Sequence, residues 1–339
     1  MKTSRTLALL AGGAGLAWTL LPKRAPFRLA GKTVVITGGS RGLGLQLARE
    51  FGSRGAKVVI CARDLSELER AVNDLATRGI SAHSVQCDVS DREQCGQLIE
   101  EAVRLTGALD VLVNNAGIIQ VGPIAAMGIA DFEEAMATMF WGTLYPTLAA
   151  LPHLRKNAES RIVNVTSVGG KMAVPHLIPY CCAKFAAVAL SRGLRAELAP
   201  CGIKVTTVVP GLMRTGSHLN AHFKGDHAKE YAWFSFSAAT PLFSIDATRA
   251  ARAIVHAAIH GDAEKTLSIP ADLAARLNGA LPELTAPLFD AVNRMLPASR
   301  ATGSEKRSGK EASEMLNSRL LEMANVFGTR AAESLNQFG

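Results

Sequence analysis

Aromatic residues make up only 5% of this 339-residue chain, and charged residues 19%. The 37 lysines and arginines exceed the 29 acids, giving a formal net charge of +8, but they are scattered. No basic stripe interleaved with aromatics is present, which argues against nucleic-acid recognition. The basic excess suits an anionic membrane surface or a phosphorylated cofactor instead. Cysteine is equally uninformative as a scaffold. Cys61, Cys87, Cys95, Cys181, Cys182 and Cys201 show no paired C-x-x-C spacing and no disulfide-framework density, so they read as reduced thiols. No ligand spacing supports a metal site, and no internal repeat is visible. With 48% hydrophobic residues the chain is too apolar for disorder and long enough for one large core with appendages.

The longest apolar run is short. Leu7 to Leu21 is preceded by Lys2 and Arg5 and followed by Pro22-Lys23-Arg24. A spanning helix needs about 20 residues, with a lower range near 17. A secretory core of about 7–15 residues fits too. Signal peptide, short anchor and interfacial helix all match. The anchor is favoured, because no A-x-A cleavage site precedes the domain and the domain is built for an intracellular dinucleotide. Lys23, Arg24, Arg28 and Lys32 outnumber Lys2 and Arg5, which places the domain on the cytoplasmic side. A cytoplasmic protein with a docking segment is the alternative. Gly12, Gly13 and Gly15 weaken the helix.

From Lys32 onward, β-branched runs alternate with helical patterns. Strands are expected at Thr33–Thr37, Lys57–Cys61, Ser84–Cys87, Val111–Asn114, Ile162–Thr166 and Lys204–Val209. Helices are expected at Leu43–Arg54, Ser66–Arg78, Glu93–Leu105, Phe132–Leu154 and Pro179–Leu198. Such alternation predicts an α/β fold, a doubly wound (Rossmann) parallel sheet with helices on both faces. Three regions follow: residues 1–29 as an anchor or targeting segment, 30–270 as the dinucleotide-binding domain, and 271–339 as a helical C-terminal extension. Residues 212–245 carry a third of the aromatics, among them Phe223, Tyr231, Trp233, Phe234, Phe236 and Phe243. They either form a lid over the crevice beyond the strand ends or pack the domain or a subunit interface. Leu273, Leu277, Leu281, Leu284, Leu288, Val292 and Leu296 make an amphipathic helix pair, split at Pro282 and Pro287, of the kind that docks onto a domain. The tail from Ala301 is polar, then helical, with no readable chemistry.

Two motifs carry chemistry. The first strand runs into Gly38-Gly39-Ser40-Arg41-Gly42-Leu43-Gly44 and then a helix. Glycines let the backbone approach a pyrophosphate at a helix N-terminus, and placement between first strand and first helix makes the motif specific. At the second strand's end stands Arg63 where NAD users place an acid. Arg63 and Arg41 suit a 2′-phosphate, so NADP(H) is preferred over NAD(H). Asp64, one residue late for a ribose contact, reads as an N-cap or turn residue. In the second motif, Tyr180 and Lys184 are four apart on one helix face. Lowering a phenol's pKa by about three takes roughly 4 kcal/mol, and an exposed lysine supplies about 0–1. The pair therefore belongs in a desolvated cleft. Ser167, thirteen residues before Tyr180, emerges at a strand's carboxyl end, where ligands bind.

Together these residues resemble the short-chain dehydrogenase/reductase family over roughly residues 30–270, about 70% of the chain, with Asp88-Val89, Asn114-Asn115-Ala116-Gly117 and Pro210-Gly211 with Thr215 in the family's order. The resemblance implies Tyr180 as general acid/base, Lys184 lowering its pKa and binding the nicotinamide ribose, and Ser167 polarising the substrate. It implies cofactor contacts from Gly38, Ser40, Arg41, Gly42, Leu43, Gly44, Arg63, Asp88, Val89, Ala116, Gly117, Pro210, Gly211 and Thr215. For Asn114 it allows either a cofactor contact or a bracing role. It further implies a homo-oligomer and a small carbonyl or alcohol substrate. The apolar N-terminus and aromatic stretch are similar to those of membrane-associated members acting on lipids, steroids or retinoids. One departure stands out: Met139 occupies the position of the family's Asn, which supports a proton relay to the lysine. A weak cofactor-binding scaffold or sensor is the alternative it motivates.

Overall fold

Five consecutive buried residues, Thr-Val-Val-Ile-Thr, form strand β1 (Thr33–Thr37). A β-branched run hidden on both faces is the mark of an inner strand in a parallel sheet. The computed structural model describes residues 25–240, 244–298, 305–315 and 331–338. The apolar run 7–21 and Phe243 lie outside them. Among the described residues no helix is long and apolar enough to cross a membrane.

The other strands of the main sheet are β2 (Lys57–Ala62), β3 (Ala82–Gln86), β4 (Val111–Asn114), β5 (Ser160–Val165), β6 (Ile203–Val209) and β7 (Glu264–Thr266). Their order is β7-β6-β5-β4-β1-β2-β3, all parallel. Six of these were expected within one or two residues. β7 was not, because Glu-Lys-Thr at a sheet edge has no apolar run to announce it. The helices are α1 (Gly42–Gly52), α2 (Leu65–Thr77), α3 (Arg92–Thr106), α4 (Ile129–Met136), α5 (Gly142–Leu154), α6 (Ile178–Leu198), α7 (His227–Ala239), α8 (Ala247–His260), α9 (Ile269–Ala280) and α10 (Pro282–Met295).

Alternation along β1 divides the core. Val34 and Ile36 join Leu45, Leu47 and Phe51 of α1, Leu68 and Leu75 of α2 and Ile254 of α8 on one face. Val35 points the other way, to Leu98 and Ile99 of α3, Leu154 of α5 and Leu198 of α6. Helices thus cover both faces. Chain order reverses beside β1, whose neighbours are β2 and β4. That switch point is where such sheets open a crevice beyond their carboxyl ends.

Two helical expectations need correction. The continuous helix Phe132–Leu154 is divided by a π-turn at Ala137–Trp141. Pro146, inside α5, lacks the N–H that would bond Gly142 and its ring crowds that carbonyl. Gly142 also packs so closely on Val89 that a Cβ there would lie 2.7 Å from Val89 Cγ2. The pair α9–α10 breaks at Leu281–Pro282 as expected, and Pro287 stays within α10. Its aliphatic edge, however, does not dock: Leu273, Leu277, Leu284 and Leu288 are exposed. The pair meets the domain through small and polar groups instead, Ala271 and Ser268 against Gly211 and Asn278 Nδ2 donating to the Lys171 carbonyl at 3.4 Å.

Candidate active site

A cavity of about 920 Å³ opens at the carboxyl edge of the sheet. Its one end is the glycine loop. Gly38 (φ +62°) and Gly42 (φ +58°) adopt left-handed backbone that side chains resist. A Cβ on Gly44 would collide with the Gly38 carbonyl. The loop is pinned from below by Asn115, whose Nδ2 donates to the carbonyls of Thr37 (3.0 Å) and Gly38 (3.1 Å). Thr37 Oγ1 in turn accepts from the Asn115 and Ala116 amides. Helix α1 follows Arg41 without a side-chain cap; its Gly42 amide goes to the Leu335 carbonyl at 2.8 Å, and Leu43 and Gly44 of its first turn line the cavity. That glycine cradle at a helix N-terminus fits a dinucleotide diphosphate.

Gly38, Ser40, Arg41, Gly42, Leu43, Gly44, Arg63, Asp88, Val89, Ala116, Gly117, Ser167, Tyr180, Lys184, Pro210, Gly211 and Thr215 all line the cavity. Asn114 does not. Its amide is buried, donating to Thr147 Oγ1 (2.9 Å) and Asn164 Oδ1 (2.8 Å), which binds β4 to α5 and β5. Of the two readings the bracing one matches this placement, and the neighbouring Asn115 takes the position at the loop. Asp64 caps α2, accepting from the Glu67 amide at 2.8 Å.

The two arginines differ. Arg63 is two-thirds exposed and only 4.0 Å from Asp88 Oδ2. Arg41 is bound to Glu67 Oε1 at 2.8 Å, while Ser40 Oγ donates to Glu67 Oε2 at 2.9 Å. Sequence reasoning missed Glu67. The available signal was its place three residues after the Asp64 cap, facing the loop from α2's first turn.

At the other end, Ser167 follows β5 and Tyr180 and Lys184 stand on α6. Ser167 Oγ accepts from the Gly169 amide at 3.0 Å and stands beside the Tyr180 phenol, whose ionised form it favours. Gly169 allows this approach: a Cβ there would meet Tyr180 Cε1 at 3.1 Å. Burial pushes the phenol up to about 12, against the downward pull of Ser167. The expected lowering by Lys184 is not seen, for a geometric reason. The ammonium lies 5.9 Å from the Tyr180 ring centroid and donates to the Val165 carbonyl at 3.0 Å. Burial lowers its own pKa to about 8. Met139 is buried beside it, the Met139 thioether and Lys184 Nζ both 3.7 Å from where a Gly117 Cβ would stand. The Met139 carbonyl accepts from Thr143 Oγ1 at 2.8 Å.

The aromatic stretch divides between the two roles read from it. Trp233 and Phe234, with Ser237 and Ala238, line the cavity from α7. Tyr231 and Phe223 pack edge-on in a small satellite core. A trio fastens this wall: buried Glu230 accepts from the half-buried Trp233 Nε1 at 2.7 Å and lies 2.8 Å from buried His176 Nδ1.

Comparison with known proteins agrees with this geometry. A family model described as short chain dehydrogenase matches residues 32–223. A dehydrogenase/reductase SDR family protein 7-like of Anopheles gambiae is 39% identical over 198 residues, 57% of this chain and 62% of that protein. The match therefore spans less than two thirds of that relative's length. An 11-beta-hydroxysteroid dehydrogenase A of Sesamum indicum is 35% identical over 243 residues, 69% of this chain and 67% of its own. A gluconate 5-dehydrogenase of Burkholderia cenocepacia, solved with NADP and tartrate, superposes with a TM-score of 0.63 at 28% identity, covering 71% of this chain and 95% of that one.

Proposed function

The chain belongs to the short chain dehydrogenase family, and from that premise we propose that it is an NADP(H)-dependent oxidoreductase interconverting a carbonyl and an alcohol on an apolar substrate, with Tyr180 as general acid/base. The observation that carries this reading is the meeting of Ser167, Tyr180 and Lys184 in one cavity with the glycine loop. The nicotinamide supplies or accepts the hydride when bound. Tyr180, pushed up to about 12, keeps its proton at neutral pH and has it ready for a carbonyl oxygen. Ser167, on the wall of the same cavity, is placed to donate to the same oxygen. Lys184 holds a positive charge beneath them.

Apolar substrates are supported by Trp233, Phe234, Leu177, Met172 and Val174 on the cavity wall, and by the steroid named for the sesame relative. NADP(H) over NAD(H) is supported by Arg41 and Arg63 at the loop end. The Arg41–Glu67 pair favours NAD(H) as the second reading, because it already neutralises one arginine. Membrane association rests on the run 7–21 and a homo-oligomer on family resemblance. NADPH oxidation with a panel of apolar ketones and aldehydes tests the activity; cofactor binding without turnover on any of them would favour the scaffold that Met139 motivates. Carbonate extraction tests the anchor: release of the chain into the soluble fraction contradicts it.

A further inference from the structure

The extreme C-terminus, silent in the sequence, is bound to the glycine loop. Residues 331–338 lie against the rim of the cavity, and their polar groups are spent there. The Leu335 carbonyl accepts the Gly42 amide at 2.8 Å. Asn336 Nδ2 donates to the carbonyls of Ser40 (2.9 Å) and Glu67 (3.1 Å), while its Oδ1 accepts from Arg70 Nε at 2.8 Å. Gln337 crosses to the opposite wall: its Nε2 donates to the Thr215 carbonyl at 3.0 Å, and its Oε1 accepts from Asn220 Nδ2 at 2.7 Å.

Several features mark this as a fitted contact. Leu335 and Gln337 are each 4% exposed. Asn336 takes φ +56°, a conformation in which asparagine is enriched among non-glycine residues. Two glycines give the tail room. A Cβ on Gly42 would stand 2.7 Å from Gln337 Nε2, and one on Gly216 would stand 2.5 Å from Ala332 Cβ. The tail borders the cavity without filling it: Gln337 is one of its lining residues, and about 920 Å³ remains.

We propose that residues 331–338 form a strap that joins the two walls of the dinucleotide cleft, with Asn336 and Gln337 as positioning residues, and that the strap must lift for the cofactor to leave. The inference rests on the cleft being a dinucleotide site. Its physical basis is connectivity. Asn336 holds the backbone of Ser40 and of Glu67, and so fixes the loop against α2. Gln337 fixes Thr215 and Asn220 against Gly42. The Gln337 amide fills the gap between Gly42 and Thr215, so a ligand in the cavity beside it is shut in on that side until these bonds break, and passage in either direction requires the strap to lift.

The test is dissociation of NADPH from the full-length protein, followed by fluorescence after mixing with excess unlabelled NADP⁺. In Asn336→Ala/Gln337→Ala, which removes five side-chain hydrogen bonds, the release rate is expected to rise about tenfold or more, with the association rate rising by no more than that. Truncation after residue 330 should do the same or more, and the double variant keeps the test open if truncation unfolds the chain. An unchanged release rate in a folded variant overturns the strap. Slower release or tighter binding also overturns it, since the tail then competes with the cofactor. Failure of the unaltered protein to bind either NADPH or NADH sinks the dinucleotide reading itself, which a strap failure alone leaves standing.

Discussion

His176 Nδ1 and Glu230 Oε1 lie 2.8 Å apart in a site closed to solvent, 5% and 1% exposed in their side chains. The pair joins the loop that leads into α6, four residues before Tyr180, to α7, whose Trp233 and Phe234 face the same cavity. His176 sits at φ +63°, a strained position for a side chain of that size, and its carbonyl accepts the Gly122 amide. Strain of this kind persists where surrounding contacts over-determine it. Here they come from one carboxylate that also accepts the Trp233 indole at 2.7 Å.

Glu230→Ala takes the carboxylate away from buried His176 and half-buried Trp233. Leaving a buried donor unpaired costs about 1–3 kcal/mol, so a marked fall in thermal midpoint is expected. In the folded fraction KM for an apolar carbonyl substrate should rise more than kcat falls, because Trp233 is released and Tyr180 is not. Glu230→Gln, which retains an acceptor oxygen, should recover most of the KM. Equal losses in kcat and KM, or no recovery in the glutamine variant, would show that α7 is not positioned by this carboxylate.

Tyr180→Phe isolates the proton. The ring stays packed against Gly169, and only the phenol oxygen beside Ser167 is lost. Turnover is expected to fall about 10²–10⁴-fold, the usual worth of a placed acid, while the NADPH dissociation constant stays within about twofold. Retained catalysis in a folded variant removes Tyr180 from its assigned role.

The parts legible in the sequence were those set by local rules. Alternating β-branched runs disclosed six strands, and the loop Gly38–Gly44 disclosed itself by glycines that only one backbone path requires. What escaped depends on partners distant in sequence. Glu67 faces Arg41 across 26 positions and Gln337 meets Thr215 across 122. Neither residue type is unusual where it stands, so no local pattern marks it. Asn114 and Asn115 show the same limit at closer range. Asn114 ends β4 and Asn115 follows it, and the sheet's packing, absent from the local sequence, decides which braces β5 and which holds the loop.

Cofactor choice turns on the charge balance around Arg41. Removing both arginines, Arg41→Ala/Arg63→Ala, should weaken NADPH relative to NADH by about 10–100-fold, the worth of one or two charge-assisted bonds. Glu67→Gln acts in the opposite direction. It removes the charge that holds Arg41 at 2.8 Å while leaving an amide to accept from Ser40. NADPH affinity should rise several-fold relative to NADH. Fluorescence titration of both cofactors against the three proteins is decisive. If neither variant changes the ratio, the 2′-phosphate argument is wrong and NAD(H) becomes the better reading.

Lys184 sets activity and stability against each other. Burial lowers its pKa from the usual 10.5 to about 8, so the folded state binds this proton less well than the unfolded chain. Below pH 8 both states are protonated and the fold bears the whole penalty, about 3 kcal/mol by the standard conversion. As pH rises from about 8 toward 10.5 the folded lysine sheds its proton first, and the penalty fades. Lys184→Met escapes that penalty but leaves the Val165 carbonyl without its 3.0 Å donor, an offset of about 1 kcal/mol or more. The variant should therefore melt higher than the unaltered protein at pH 7 and lose that advantage through the alkaline window. Its turnover should collapse at every pH. The unaltered enzyme should show kcat/KM for carbonyl reduction falling above about pH 8 as the ammonium is lost. Melting curves and rate profiles over the same buffers check both halves. A variant that is less stable at pH 7, or a rate that climbs through pH 8, would mean that the ammonium is not the desolvated charge this cleft holds.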